Sequence, residues 1–401
     1  MNRPNSTYPP AVVSYMSYSG LGIVRSLGRL GVPVYALDPD PKKIGMDSRF
    51  CKNKVCPSIE SDENAHIEFL IELSEHLGQR PVLFPTGDNT VLCYAKYENI
   101  LRNYFIFTVP ERSTIERLVT KDALFRTSVE FNIPSPATFI PSSLSDVDSI
   151  ARKISYPCII KPIKSNSWHE KSIQKIIGDN TKVILAQNRD ELLGSYSKVG
   201  AYDPNVIISE VIPGDDSELF YFVFYMSSDH QLLGRFSGRK CRVIPIHFGS
   251  ASFVESVSVQ ELDELSISFL RKLKYTGLGG IEFKRDPRDG KFKLIEFNAR
   301  YGLWDVLGAR CGVDTAYIAY CDAIGERVTR KFDYRIGVKW VSIYRDTKAF
   351  LAYRKEGLIT LLSWLRSFRG EKQWAVFAWD DIKPFLTATC RYWLSKLIRI
   401  G

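Results

Sequence analysis

The feature that most constrains the fold is a pair of apolar segments that carry acidic and amide side chains at regular spacing. Gly277 to Lys284 and Phe292 to Phe297 flank a short run rich in Asp, Pro and Gly, which is typical of a hairpin turn. Because side chains alternate between the two faces of a strand, Glu282 lies on one face, and Glu296 and Asn298 share one face of the partner strand. The sequence therefore predicts a β-hairpin on which two carboxylates and an amide oxygen converge.

Oxygen ligands of this kind suit Mg²⁺, which combines a few carboxylate ligands with phosphate oxygens. The alternative is that both glutamates lie on a solvated face of the sheet. The metal site is favoured because Asn298-Ala299-Arg300 groups polar side chains at one end of the strand. Arg300 would then point a planar cation at an anionic substrate or a transferred phosphoryl group. The eight cysteines and five histidines show no metal-ligand spacing, so we expect oxygen ligands.

Two lysines earlier in the chain could bind an anion. Lys161 ends the apolar run Tyr156 to Lys161 immediately before Pro162, and a charge buried there is costly unless an anion meets it. A lysine that reaches from the strand end into solvent is the alternative. Lys121, on a helix predicted to begin near Ser113, is less distinctive and, taken alone, is better explained by that alternative.

The N-terminal segment predicts a separate α/β unit. A strand at Ala11 to Tyr15, a turn containing Gly20 and Gly22, a helix and a second strand ending at Asp38 form a βαβ pattern. Two glycines are weak evidence for dinucleotide binding, so a doubly wound domain whose turn packs against a neighbour or a small ligand is favoured. Thr86 to Asn89 follows another apolar strand, and loops in that position line clefts in open α/β sheets.

Together these segments resemble the ATP-grasp superfamily. The resemblance covers about residues 10 to 325 and rests on the order and spacing of Lys121, Tyr156 to Pro162, Ser209 to Gly214, Glu282 and Glu296 to Arg300. It implies an α/β fold with a doubly wound pre-ATP-grasp domain at 1–112, an ATP-grasp domain at 113–325 and a basic C-terminal extension at 326–401. The ATP-grasp domain would divide into a small lobe, 113–205, and a large lobe, 206–325, which contains the metal-binding hairpin.

Two further similarities narrow the resemblance. Gly20 to Arg25, with Thr86 to Asn89, is similar to the domain that precedes ATP-grasp in carbamoyl-phosphate-synthase-like ligases. Gly290 to Arg300 and Gly312 to Asp314 are similar to a group of proteins that includes bacterial D-aspartate ligases.

The resemblance implies that the chain binds ATP together with one or two Mg²⁺ ions. Mn²⁺ in place of Mg²⁺ is the alternative. Lys121 and Lys161 would hold the α- and β-phosphates, and Glu218 would accept hydrogen bonds from the ribose hydroxyls. The adenine edge would meet the backbone of the segment Ser209, Glu210, Val211 and Ile212.

The resemblance also implies a metal site and catalytic residues. The implied metal ligands are Glu282, Glu296 and Asn298. Arg300 would face the acceptor, while Arg239 and Lys240 would contact the γ-phosphate. One departure concerns Ser165 to Glu170, which lacks glycine where many ATP-grasp proteins have a glycine-rich loop. Closure of this loop over ATP is therefore left open.

The implied activity is that of a carboxylate–amine ligase, which activates a small-molecule carboxylate as an acyl phosphate and joins it to a small-molecule amine. An ATP-binding or scaffold protein without turnover is the alternative. A dehydrogenase that uses the N-terminal βαβ unit is disfavoured, because it leaves the acidic hairpin unexplained. No motif names the carboxylate or the amine.

Composition places the chain among soluble globular proteins, with 45% hydrophobic and 25% charged residues and a mean hydropathy of −0.13. Without a signal segment or a membrane span, a cytoplasmic location is expected. Lys331 to Gly401 holds 14 Lys and Arg against 6 Asp and Glu, which is +8 of the total net charge of +9. No nucleic-acid-binding motif accompanies this basic extension.

The end of the extension has an amphipathic pattern, with apolar residues at Ile382, Leu386, Cys390, Trp393, Leu394, Leu397 and Ile398 among basic ones. This segment could lie on an anionic surface at the inner face of the membrane. Packing on the catalytic body is favoured, because Trp374 to Trp379 predicts a strand that joins a folded unit. A homodimer is left open.

Overall fold

A computed structural model of the chain describes residues 8–164, 167–169, 171–178 and 181–397. Ser165, Asn166 and Glu170 of the glycine-free loop lie outside the described residues, as do Ile398 and the side chains of Trp393, Leu394 and Leu397. Within the described part of the chain, no helix is both long and apolar enough to cross a bilayer.

The N-terminal domain alternates short apolar strands with helices, and every strand pair in it is parallel. The strand order is β3-β2-β1-β4-β5. The central strand β1 therefore has β2 on one side and β4 on the other, and the direction in which the chain adds strands reverses between them. Such a reversal opens a crevice at the carboxyl ends of the two central strands. The elements are β1 (Ala11–Ser14), α1 (Tyr18–Arg29), β2 (Val34–Asp38), β3 (Lys52–Val55), α2 (Glu63–Leu77), β4 (Val82–Pro85), α3 (Asp88–Lys96), α4 (Glu98–Tyr104) and β5 (Ile106–Phe107).

The small lobe is a four-stranded antiparallel sheet in the order β6-β9-β7-β8, covered by helices. The buried apolar residues of its sheet and of α7 to α9, from Val147 to Ile208, form a separate hydrophobic core, whereas Ile115, Leu118 and Leu124 pack in the core of the large lobe. The elements are α5 (Arg112–Glu116), α6 (Lys121–Glu130), β6 (Thr138–Phe139), α7 (Leu144–Ala151), β7 (Cys158–Pro162), α8 (Lys171–Ile177), β8 (Ile184–Ala186), α9 (Arg189–Val199) and β9 (Val206–Glu210).

The large lobe and the C-terminal extension share one seven-stranded sheet, in the order β14-β13-β10-β11-β12-β15-β16. Phe253 of β12 pairs with Val341 of β15, so the extension continues the sheet that carries the acidic hairpin. The elements are β10 (Leu219–Met226), β11 (Leu232–Ile244), β12 (Ser250–Val257), α10 (Gln260–Leu273), β13 (Gly277–Arg285), β14 (Phe292–Asn298), α11 (Val306–Cys311), α12 (Thr315–Ala323), β15 (Lys339–Val341), α13 (Ile343–Lys355), α14 (Leu361–Ser367), β16 (Lys372–Trp374) and α15 (Lys383–Leu397).

The extension packs on the protein, as the favoured alternative expected, although the predicted strand is displaced. Strand β16 ends at Trp374, and Ala375 to Trp379 lie in bends and turns instead. Helix α15 contacts the N-terminal domain, where Thr387 Oγ1 donates to Asp47 Oδ2 at 2.7 Å. Tyr392 of the same helix lies 5.4 Å, between ring centroids, from Tyr344 of α13.

A buried ion pair joins the extension to α1. Arg25 Nε lies 2.9 Å from Asp381 Oδ2, and the two side chains are only 3% and 0% exposed. Asp381 also accepts hydrogen bonds from Ser48 Oγ at 2.7 Å and from the Arg49 N–H at 2.9 Å. The carboxylate is therefore fully used by the N-terminal domain, and a buried guanidinium on α1 depends on it.

Asp381→Ala should lower the free energy of unfolding by about 3–5 kcal/mol, because it leaves the buried Arg25 cation without its partner. The matched control is Asp380→Ala, which removes the partner of Arg29 from a pair that is 37% and 50% exposed. That change should cost about 0–1 kcal/mol. Urea denaturation followed by tryptophan fluorescence compares the two variants. Equal losses would show that the buried pair does not stabilise the docked extension.

Candidate active site

The acidic hairpin forms as its spacing predicts. Glu282 on β13 lies directly opposite Glu296 on β14, and Asn298 lies opposite Gly280, so all three side chains share one face of the sheet. The pairing register shifts immediately after Glu282, and irregularities of this kind often lie beside active sites. Like charges that face each other across a strand pair are destabilising, so this arrangement requires a cation nearby.

One such cation comes from the same sheet. The Lys240 ammonium on β11 forms an ion pair with Glu282, and both side chains are buried. Burial raises the pKa of Glu282 above its ordinary value, the charge of Lys240 opposes this shift, and Glu296 adds to it. The pair thus keeps one of the two facing carboxylates neutralised.

Two more cations come from the small lobe. Lys161 lies on β7, and Lys121 is the first residue of α6. Burial and, to a lesser extent, the charge of Lys121 lower the pKa of Lys161 to about 8, although Glu296 and Glu282 oppose the shift. Burial also lowers the pKa of Lys121, with Glu296 as the main opposing charge. Among the described residues, no ion pair to Lys161 is found.

The cleft between the small lobe and the hairpin brings further predicted residues together. Lys121, Lys161 and Ser209 line one cavity with Leu294 and Ile295 of β14. The backbone at Pro134 and Leu294 crosses this boundary, where the Leu294 N–H donates to the Pro134 carbonyl at 2.7 Å. The two lysines are therefore held beside the acidic hairpin.

The backbone N–H groups of the segment after β9 are only partly engaged in hydrogen bonds among the described residues. The Glu210 N–H donates to the Ala137 carbonyl at 2.9 Å, and the Val211 N–H donates to the Pro157 carbonyl at 3.1 Å. Pro213 has no N–H. No partner of the Ile212 N–H is found in the part of the chain that the structure describes.

Side chains near the same segment are held in place. The Glu210 carboxylate accepts a hydrogen bond from the Ala137 N–H at 2.9 Å and lies 3.0 Å from Arg288 in the turn of the acidic hairpin. Glu218 lies in a short 3-10 turn that leads into β10. Burial lowers the pKa of Lys284, and the charges of Asp216, Asp215 and Glu218 oppose this shift.

Arg300 follows the hairpin and meets the N-terminal domain. Its Nε and Nη2 donate to the two oxygens of Asp88, at 2.6 and 3.1 Å. Asp88 is the first residue of α3, in the loop after β4 that the sequence placed at a cleft. The partnership itself was not predicted, because nothing in the sequence connects two residues 212 positions apart.

The prediction for Arg239 needs correction. It precedes Lys240 on β11, so strand alternation places its side chain on the opposite face of the sheet from Glu282. There it lies 3.0 Å from Glu255 on β12. The structure therefore brings Lys240 to the acidic hairpin and keeps Arg239 away from it.

Two cations were missed by the sequence analysis. Lys182 Nζ donates to Ser250 Oγ at 3.1 Å across the cleft. Partial burial lowers the pKa of Lys182, Glu296 opposes this shift, and Arg345 and Lys240 add to it. Arg345 lies on α13 of the extension. Lys182 directly precedes the apolar run Val183 to Leu185, so a lysine at a strand end could have been recognised there. Nothing in the sequence around Arg345 marks it as part of a site.

Comparisons with known proteins agree with this geometry. The profile of the carbamoyl-phosphate synthase L chain, ATP binding domain, matches residues 243–330, which include both strands of the hairpin. The biotin carboxylase domain of Hydrogenobacter thermophilus 2-oxoglutarate carboxylase, solved with MgADP, superposes with a TM-score of 0.62 at 14% identity, covering 84% of this chain and 74% of that one. The chain is thus similar in sequence to ATP-grasp proteins over the hairpin region and similar to them in fold over most of its length. The predicted resemblance and the predicted α/β fold are both confirmed.

Two ligases are among the proteins similar to this chain. L-amino acid ligase from Bacillus licheniformis superposes with a TM-score of 0.61 at 15% identity, covering 81% of this chain and 76% of that one. D-aspartate ligase from Enterococcus faecium (strain Aus0004) is 27% identical over 267 residues, which are 64% of this chain and 62% of the relative. The chain spans less than two thirds of the length of the curated relatives it matches.

A phosphate-binding role for Lys161 predicts a pH dependence of nucleotide affinity. Because the pKa of Lys161 is lowered to about 8, the free protein loses this charge above pH 8, and affinity should fall by up to about tenfold per pH unit. Lys161→Arg should flatten the dependence, since arginine stays charged. Lys161→Ala should weaken binding at every pH.

Calorimetric titration with a non-hydrolysable ATP analogue and Mg²⁺ at pH 7, 8 and 9 measures these affinities. Lys164→Ala, which removes an exposed lysine three positions on, is the control and should change nothing. Equal affinity of the Lys161→Ala variant and the parent would mean that Lys161 is a structural residue.

Proposed function

We propose that this ATP-grasp chain is an ATP-dependent carboxylate–amine ligase that forms an amide through an acyl phosphate. The main support is the convergence of cations from the small lobe and the large lobe around two facing carboxylates, Glu282 and Glu296. The D-aspartate ligase and L-amino acid ligase relatives support the same class of reaction.

The donor set suits Mg²⁺, or Mn²⁺ as an alternative. Glu282, Glu296 and Asn298 offer only oxygen atoms on one face of the hairpin. The described residues contain no group of three or more His, Cys, Asp or Glu that could hold a metal ion. This is consistent with one or two ions that complete their coordination with nucleotide phosphates and water. When bound, Mg²⁺ would neutralise charge on the triphosphate.

The remaining predicted residues take positions along the nucleotide. Lys121 and Lys161 hold the α- and β-phosphates by charge-assisted hydrogen bonds. The Ile212 N–H meets the adenine edge, and Glu218 accepts hydrogen bonds from the ribose. Lys240, which pairs with Glu282, would contact the γ-phosphate, and Glu282 would then be among the residues that hold the metal ion.

The reaction follows from these positions. A carboxylate oxygen of the first substrate bonds to the γ-phosphorus as the bond from that phosphorus to ADP breaks. The nitrogen of the amine then bonds to the acyl carbon, phosphate leaves with the electron pair of the broken bond, and the amine gives up a proton. Arg300 stabilises the oxyanion formed in this step, and Asp88 fixes the plane of its guanidinium.

A protein that binds ATP, or acts as a scaffold, without turnover is the second candidate. It is favoured by one observation, the absence of glycine from Ser165 to Glu170, since backbone N–H groups approach phosphate most easily at glycine. Phosphate release separates the two functions, because a ligase needs both a carboxylate and an amine for it.

Glu296→Gln should abolish Mg²⁺-dependent ADP formation and leave the fold intact, because it removes one charge from the metal site without changing its shape. A screen of paired carboxylates and amines, read out as ADP and phosphate, first identifies a substrate pair for the parent. Glu255→Gln is the matched control, on the same sheet but facing away from the hairpin. Parent-like turnover by Glu296→Gln would rule out its assignment as a metal ligand.

We further propose that the extension contacts an anionic membrane surface through α14 rather than through its end. Helix α14 has no buried residue, and Leu361, Leu362 and Leu365 are 49–57% exposed. Arg366 and Arg369 lie exposed beside them. An apolar helix face flanked by cations is typical of peripheral attachment, in which each cation near the surface adds about 1 kcal/mol.

The double variant Leu362→Glu/Leu365→Glu should abolish sedimentation of the intact protein with liposomes that contain anionic lipid. Leu185→Glu, which changes an exposed leucine on the small lobe, should leave sedimentation unchanged. Binding should also weaken from low to physiological salt, because the cations are screened. A parent protein that stays in the supernatant at both salt concentrations would exclude this contact.

A further inference from the structure

Arg345 differs from the other shielded arginines in having no carboxylate partner within the described part of the chain. Four arginines with little exposed side chain each lie beside one, in the pairs Arg25–Asp381, Arg235–Asp263, Arg242–Asp346 and Arg300–Asp88. Arg345 instead donates to three backbone carbonyls, those of Ile244 at 3.3 Å, Ser250 at 3.0 Å and Ala251 at 3.2 Å. No ion pair to it is found among the described residues.

The neighbouring carboxylate cannot take this role. Asp346 is fully buried and accepts hydrogen bonds from Arg242 Nε and Nη2, both at 2.8 Å. It also accepts from Ser252 Oγ at 3.0 Å and Trp364 Nε1 at 2.8 Å. The side chain of Asp346 on helix α13 therefore points into the core. The partly buried guanidinium of Arg345 points instead toward the backbone of Ser250 and Ala251. Burial lowers the pKa of Arg345, as expected for a charge without a counterion.

The surroundings of Arg345 connect it to the acidic hairpin through Lys182. Ser250 connects two cations, because its carbonyl binds Arg345 and its Oγ accepts from Lys182 Nζ at 3.1 Å. Lys182 interacts electrostatically with Arg345 and with both facing carboxylates, Glu282 and Glu296. Tyr18, the first residue of α1, lies within electrostatic range of Arg345. Arg345 thus lies within electrostatic range of both Lys182, on the small lobe, and Tyr18, in the N-terminal domain.

We propose that Arg345, together with Lys182, binds an oxyanion on a substrate that is additional to the carboxylate converted to acyl phosphate. The substrate class is then a dicarboxylate or an acidic amino acid. A planar guanidinium matches a carboxylate through two parallel hydrogen bonds, and an anion here would compensate two adjacent cations. This inference rests on the proposed ligase function.

A nucleotide phosphate is the other source of such an oxyanion. A substrate is the better candidate because the nucleotide cleft is lined by Lys121, Lys161 and Ser209, and Arg345 is not part of that lining. Arg345 also belongs to the extension, on the side of the hairpin toward α1. The two sources differ in a measurable way, since only a phosphate contact would make Arg345 matter for ATP affinity.

The experiment compares Arg345→Gln with the parent on probe pairs that differ by one charge: aspartate against asparagine, glutamate against glutamine, and succinate against succinamate. Each probe is offered with the full chain, Mg²⁺-ATP and the co-substrates found in the screen. For the acidic members, Arg345→Gln should raise KM by about 10- to 100-fold and leave kcat within a few-fold. The preference for the acidic member should disappear, and Arg345→Lys should restore part of it.

Arg354→Gln is the matched control, since it makes the same substitution at an exposed position of the same helix and should change neither KM nor preference. Urea denaturation checks that Arg345→Gln remains folded. An unchanged preference in a folded Arg345→Gln variant would overturn the proposal and leave Arg345 with a structural role. Weakened binding of the non-hydrolysable ATP analogue, with ADP binding unchanged, would overturn it in favour of a γ-phosphate contact.

Calorimetric binding of the same probes, in the presence of ADP and Mg²⁺, tests the oxyanion site independently of ligase activity. Preferential binding of acidic probes that Arg345→Gln removes, without ADP formation from any pair, would refute the ligase and support the oxyanion site. ADP formation without any charge preference in the parent would refute the oxyanion site and support the ligase.

Discussion

Two carboxylates that face each other on neighbouring strands are the constraint on which the rest of the structure depends. Glu282 and Glu296 lie directly opposite one another, and their repulsion would weaken the hairpin if no cation were near. The chain answers this with positive groups from separate regions. Lys240 comes from the same sheet, Lys161 from the small lobe, and Arg345, more remotely through Lys182, from the extension.

The distribution of hydrophobic cores explains how these groups can move relative to each other. The sheet of the small lobe and α7 to α9 have a core of their own, whereas the N-terminal domain and the large lobe share apolar clusters that include Val91 with Phe222, and Val13 with Leu278. Lys161 therefore lies on a core that is separate from the cores beside Glu282 and Arg300. An opening and closing cleft is the physical form expected of such an arrangement.

Local periodicity explains why part of the site could be predicted from the sequence. The positions of Glu282, Glu296 and Asn298 follow from alternation along two short strands, and Lys161 follows from one apolar run. Arg239 and Lys240 show the limit of motif matching, since adjacent residues of a strand face opposite sides and only one of them can reach the hairpin.

Contacts between distant parts of the chain account for what the sequence could not predict. Asp88 meets Arg300 only because the N-terminal crevice and the hairpin come together, and Lys182 approaches Arg345 across the cleft. Domain boundaries are equally difficult to infer, because the basic composition of the extension does not indicate that β15 joins the central sheet.

The insertion of β15 and β16 at one side of that sheet has a consequence for how the protein can be divided. Without residues 326–401, strand β12 would become an edge with unpaired N–H and C=O groups, and such edges recruit other chains and promote aggregation. Arg242 and Arg25 would also lose their buried counterions. A fragment cut at the end of the ATP-grasp core is thus an unsuitable unit for study, and the extension is best regarded as the last layer of the enzyme's own architecture.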